Sequence, residues 1–193
     1  SSFSVVSSLI ENTNSEILLN AYEFTSIEIT NHLVDALQQN VTVRLLVEGS
    51  PVGGMSEKQL FLLNKLHHHG AEIQLLKADS IDHVFKRYRF NHAKYAIFDQ
   101  QTTIIHSGNF APTGIPTDNT FGNREWGVAI TNETLADWYS SVFYEDFNPT
   151  QKDTQTFQPN PIFEEQDYFV LNEEYYGWYE PILNQSDTIT ANI

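Results

Sequence analysis

Apolar positions along the chain recur with two periods, and each period predicts a type of element. Phe3, Val5, Val6, Leu9 and Ile10 have helical spacing over residues 3–12. Ser15 to Phe24 reads as a mostly buried strand, 27–39 as a helix with Ile29, Leu33, Val34 and Leu37 on one side, and Val41 to Glu48 as a second strand. A helix over 56–69 carries Leu60, Leu62, Leu63 and Leu66 and stops at Gly70, a favoured C-terminal residue. Ala71 to Leu76 is a third strand. Phe90–Phe98 and Thr102–His106 are two more, joined by a turn at Asp99–Thr102. Residues 109–124 are loop-like, with Pro112, Gly114, Pro116 and Gly122, Trp126–Thr131 reads as a strand, and 133–147 as a helix with Leu135, Trp138, Val142 and Phe143.

Strand and helix alternate through the first three strands. That order implies right-handed crossovers and an α/β fold with a mixed, largely parallel sheet flanked by helices on both faces. One domain is expected over 1–147. Residues 148–161 carry three prolines among polar residues and read as a linker, followed by a Tyr- and Glu-rich tail over 162–193. The tail echoes the start of the chain: at a shift of 172 positions Ile10 meets Ile182, Asn12 meets Asn184, Ile17 meets Ile189 and Asn20 meets Asn192. The tail is therefore read as the opening of a second, similar unit.

Composition narrows the chemistry. The 193 residues are 40% hydrophobic and 13% aromatic, enough for a packed core. There is no cysteine, which excludes disulfides, thiolate metal sites and thiol catalysis. The formal charge of −15 argues against a protein that coats nucleic acid through nonspecific charge. The charge is uneven. Residues 1–132 hold 13 acids and 9 bases, whereas 133–193 hold 12 acids and a single base, Lys152. Five of the ten bases, Lys86, Arg87, Arg89, Lys94 and Arg124, lie between 86 and 124. A local basic region of that kind can hold an anion against an unfavourable net charge. The chain opens on Ser1, so it is read as a cut or mature product. Asn40, Asn132 and Asn184 match the glycosylation sequon, a pattern short and common enough to arise by chance; the Asn-, Thr-, Ser- and Tyr-rich acidic background leans towards an extracytoplasmic or secreted protein.

The chemistry concentrates in Asn91-His92-Ala93-Lys94-Tyr95-Ala96-Ile97-Phe98-Asp99. Alternation along a strand puts His92 and Lys94 on one face. An imidazole beside an ammonium suits a phosphate: His92 can attack phosphorus or move a proton, and Lys94 can neutralise phosphoryl oxygens. Asp99 can fix the turn or a partner strand. Downstream, Ser107 and Asn109 in Ile104-Ile105-His106-Ser107-Gly108-Asn109 offer a hydroxyl and an amide to phosphate oxygens. In Gly122-Asn123-Arg124-Glu125, Arg124 adds positive charge and Glu125 can hold a catalytic histidine in one tautomer.

These three stretches, in this order, resemble the phospholipase D superfamily, whose signature is His-x-Lys followed by Asp. The likeness covers about 1–147 and is sharpest from 91 to 127. His92, Lys94 and Asp99 match the signature, Ser107 and Asn109 its Gly-Ser-x-Asn stretch, and Glu125 its later acid. His106 stands where the family usually has Gly. The resemblance implies a phosphodiesterase that needs no metal or other cofactor and works through a phosphohistidine. It implies His92, Lys94, Asp99 and Glu125 as catalytic residues, with Ser107, Asn109 and Arg124 binding substrate. Two such units meet in the family, each giving one His and one Lys. The partner expected here is a second unit, from a missing C-terminal half, which the tail repeat favours, or from a homodimer. Phospholipid is the favoured substrate class, by hydrolysis or phosphatidyl transfer; nucleic acid and a non-catalytic phosphate-binding role are the alternatives. His67-His68-His69 is read as a solvated helix end, because neighbours on a helix diverge by about 100° and cannot face one ion.

Overall fold

The computed structural model describes residues 2–79, 81–117 and 121–160. The tail over 162–193 and its repeat lie outside the described residues. Among the described residues, four helices and seven strands follow in the order α1 (Ser2–Glu11), β1 (Glu16–Ala21), α2 (Ile27–Gln38), β2 (Thr42–Glu48), α3 (Glu57–His68), β3 (Glu72–Leu76), β4 (Tyr95–Phe98), β5 (Thr102–His106), β6 (Gly127–Thr131), α4 (Glu133–Phe147) and β7 (Thr154–Thr156). The helix starts are chemically marked. The side chains of Ser26, Ser56 and Asn132 accept the amides of Ile29, Gln59 and Leu135 and satisfy donors that the first turn cannot pair.

One sheet carries all seven strands in the order β6-β5-β4-β1-β2-β3-β7. Only β1–β2 and β2–β3 run parallel; the other four pairings are antiparallel. The expectation of a largely parallel sheet is therefore corrected: parallel pairing stops where crossover helices stop. Among the described residues no helix lies between β3 and β4, so β4 returns antiparallel against β1, and the tight turn at Asp99–Gln100, both with positive φ, sends β5 back beside it. Helices do cover both faces. Ile17, Leu19, Val43, Leu45 and Val47 point into a large core beneath α1, α2 and α3. Leu18, Leu46, Tyr95 and Ile97, on the opposite pleat, pack with Ala136, Phe143 and Phe147 of α4. Each such aliphatic or aromatic side chain contributes about 1.5–3 kcal/mol when fully buried.

The stretch expected to be a linker is built into the domain. Gln74–Leu76 of β3 pairs antiparallel with β7, Phe157 is 3% exposed within the larger core, and the buried Asp153 binds both the backbone amide and Nε of Arg87. Among the described residues no helix is long and apolar enough to cross a membrane.

Candidate active site

Strand β4 begins at Tyr95, so His92 and Lys94 precede it instead of lying within it as the sequence predicts. They still share one side. Lys94 Nζ stands 3.0 Å from His92 Nδ1 and 3.3 Å from Nε2, and donates to the His92 carbonyl at 2.8 Å. An ammonium can only donate, so the ring nitrogen it faces presents a lone pair. Lys94 is 5% exposed. Burial pushes its pKa below the ordinary lysine value, against the opposing pull of the Glu125 and Glu23 carboxylates.

His92, Lys94, Ser107, Asn109 and Glu125 line one open cavity of about 130 Å³, together with Gly108, Thr113, Gly114 and Asn123. That is well under the roughly 300–1,000 Å³ of a pocket enclosing a whole small ligand. It suits a single phosphate group, with the rest of a diester lying outside. Ser107 Oγ donates to Glu125 Oε2 at 2.6 Å and accepts the Trp126 amide at 2.9 Å. Glu125 is thus bound to Ser107, where a partnership with a histidine was expected. Asn109 gives its amide to Glu23 at 2.7 Å and keeps a buried, unpartnered Oδ1. His106 adds a polar group to the turn: its Nδ1 accepts the Gly108 amide at 2.9 Å, and its ring fills the space above Gly127.

Two predicted residues stand elsewhere. Asp99 lies at the far end of β4, about 20 Å from His92 at the rise of a strand. Its carboxylate accepts the amides of Asn14, Ser15 and Glu16 and the Ser15 hydroxyl. Burial alone would raise its pKa, but these hydrogen bonds outweigh burial and hold it below the usual carboxylate range. Its work is to join the β4–β5 turn to the start of β1. Arg124 is exposed, its guanidinium 6.0 Å from the Trp126 ring centroid, and does not line the cavity. Neighbouring residues of an extended chain face opposite ways, so Glu125 turning inward sends Arg124 outward.

The structure adds residues that the sequence reading passed over. The Tyr22 ring lies 4.6 Å from the His92 ring and 5.4 Å from Lys94 Nζ, with its hydroxyl accepting the Val52 amide. Tyr22 and Glu23 directly follow the apolar run of β1, and polar residues at a strand end were the available signal. Among the described residues no three His, Asp or Glu side chains are grouped to hold a metal ion.

A His–Lys pair facing a Ser–Glu–Asn wall, on a mixed sheet with helices on both faces, defines a phospholipase D-like fold and site. The chain belongs to the PLD-like domain family described under cardiolipin synthase, whose profile matches residues 6–147. No curated protein matches it in sequence. Among solved structures it is similar to Nuc of Salmonella typhimurium, a phospholipase D family member, with a TM-score of 0.65 at 19% identity over 80% of this chain and 90% of that one. NucT of Helicobacter pylori matches with a TM-score of 0.65 at 14% identity, over 81% and 91%. Phosphatidylserine synthase of Haemophilus influenzae matches with a TM-score of 0.54 at 11% identity, over 79% and 36%.

Proposed function

We propose that the protein is a phosphodiesterase of phospholipase D type that acts on phospholipid through a phosphohistidine. The observation that carries this reading is the contact between Lys94 Nζ and His92 at the edge of a phosphate-sized cavity. His92 attacks phosphorus, a P–N bond forms and the P–O bond to the alcohol breaks. Lys94 neutralises the phosphoryl oxygens. A histidine of a second unit gives the departing oxygen its proton, then takes one from the incoming water or alcohol as the P–N bond breaks. His92 is exposed on the open side of the cavity, where a second unit can reach the same phosphorus. A second copy of this chain, or a further unit in a longer chain, would supply the same groups.

Phospholipid is preferred over nucleic acid because the chain is strongly acidic and its family profile is described by a lipid synthase. A nucleic-acid substrate is the second reading, favoured by exposed Trp126 and Arg124 beside Glu125, a stacking platform with a cation. Hydrolysis of phosphatidylcholine, bis-p-nitrophenyl phosphate and single-stranded DNA, measured in EDTA with the wild type and His92→Ala, tests the proposal. Lipid turnover that survives EDTA and vanishes in His92→Ala is expected. Loss of activity in EDTA would contradict the metal-independent route, and phosphate binding without turnover would leave a binding module. An extracytoplasmic location is proposed separately, supported by exposure of the sequon residues Asn40 and Asn132; a glycosidase-sensitive mass shift or cell fractionation checks it.

A further inference from the structure

Two buried polar side chains behind the site take no part in the chemistry described above. Glu48, the last residue of β2, is 0% exposed. Its carboxylate accepts the Asn91 amide at 2.7 Å, the Ser50 amide at 2.9 Å and Lys86 Nζ at 2.5 Å. Asn20, near the end of β1, is 2% exposed and exchanges a reciprocal pair of hydrogen bonds with Asn91 at 2.9 and 3.0 Å. Its amide also donates to the Ala93 carbonyl at 2.9 Å. Residues 91–93 precede the β4 ladder, which reaches β1 first at Tyr95. Side chains of β1 and β2 therefore do for this segment what a strand partner would do. A buried carboxylate is expensive to desolvate, and an apolar residue would serve a core as well or better. Its retention beside His92 needs a reason other than packing.

We propose that Glu48 and Asn20 are positioning residues that hold the backbone on both sides of His92 so that its ring meets Lys94 in one orientation. The activity readout below rests on the function proposed above; the spectroscopic one does not. The test uses the full chain as wild type, Glu48→Gln, Asn20→Ala and the double variant. Phe143→Leu, in the core beneath α4, serves as a control that loses stability away from the site. Nitrogen-15 NMR of histidine-labelled protein, with the His92 ring assigned through His92→Ala, reports its tautomer and contact with Lys94.

The expected result is a shift of the His92 ring signals toward a mixed-tautomer average in Glu48→Gln and Asn20→Ala, with the His32 and His67 signals unmoved. Turnover of bis-p-nitrophenyl phosphate, measured where all variants are folded by circular dichroism, should show kcat down about 10–100-fold and KM within about threefold. The double variant should be little worse than the weaker single, since both act on one segment. Unchanged His92 signals in Glu48→Gln overturn the proposal, as does a kcat loss no larger than that of a Phe143→Leu protein of equal stability. If the wild type turns over no diester, the function reading fails and the ring signals alone decide the positioning role.

Discussion

Gly127→Ala, at the start of β6, is a sharp test of how the cavity wall is built. A Cβ placed there falls 2.4 Å from His106 Cδ2 and 3.3 Å from Nε2, whereas carbon atoms rest at about 3.5–4.0 Å. The ring must move by about 1 Å, and it is not free to do so. His106 is 6% exposed and its Nδ1 holds the Gly108 amide. Overpacking of this kind costs about 1–3 kcal/mol, and losing the hydrogen bond adds about 0.5–1.5. Stiffening of the unfolded chain by alanine returns about 0.4–1. The net expectation is a loss of about 0.5–4 kcal/mol, centred near about 2, read by urea denaturation followed through tryptophan fluorescence. His106→Ala removes the obstacle together with its own packing. The double variant should therefore be more stable than the sum of the two singles predicts, by about 1–2 kcal/mol. Because the same turn carries Ser107 and Asn109, turnover should fall in Gly127→Ala and recover in part in the double. A neutral single variant, or strict additivity, would refute the claim that this ring occupies the glycine's space.

Asp99→Ala should cost about 1–3 kcal/mol at pH 7, because it removes an acceptor shared by three amides and a hydroxyl. The carboxyl's pKa is depressed in the folded state, so its contribution is complete above the unfolded value near ~3.9 and is lost as pH falls through the folded one. Urea melts of wild type and variant should begin to converge below about pH 4 and meet only once the pH is below the depressed folded-state value; a gap that does not narrow at all as pH falls below about 4 would show the bonds do not depend on the charge. Tyr22→Leu should lower kcat by about two- to tenfold, the worth of one ring pair, while Tyr22→Phe keeps the ring and changes kcat little; equal losses in the two would move the role to the hydroxyl. Gly114→Ala brings a Cβ to 2.3 Å from the Asn109 carbonyl oxygen and 2.7 Å from its amide nitrogen. Backbone cannot yield as a side chain does, so a melt showing a loss of at least about 1–3 kcal/mol, with turnover reduced, is the expected outcome.

The order of elements is legible in the sequence because each buries one side and repeats with its own period. Sheet order is not written that way. Whether β4 runs with or against β1 depends on the absence of a crossover helix across residues 77–94, a nonlocal fact. Strand β7 is only three polar residues long, and nothing in Thr154–Thr156 announces that β3 has a free edge waiting for it. At the site, His92, Lys94, Ser107, Asn109 and Glu125 converge as their spacing implies, because each sits at or just beyond the end of a strand. Asp99 shares the motif but serves the opposite end of β4. Asn20 and Glu48 escaped notice because each sits in a run that is otherwise apolar, where a polar residue is visible but its partner is not.

The close approach of Gly114 to Asn109 also bears on how such a protein acquires new substrates. At Gly108 and Gly114 an added Cβ would fall 2.7 and 2.3 Å from the nearest backbone oxygen, so larger side chains at these two positions damage the phosphate seat before they alter what surrounds it. Two loops bonded to residues at and behind the site present open surface. Val52, Ile81 and Phe85 are 78%, 87% and 85% exposed, on loops tied to the site through Tyr22 and Lys86. Divergence in headgroup or leaving-group preference has room to accumulate on those loops while the chemistry stays fixed. A library aimed at new selectivity belongs at Val52, Ile81 and Phe85.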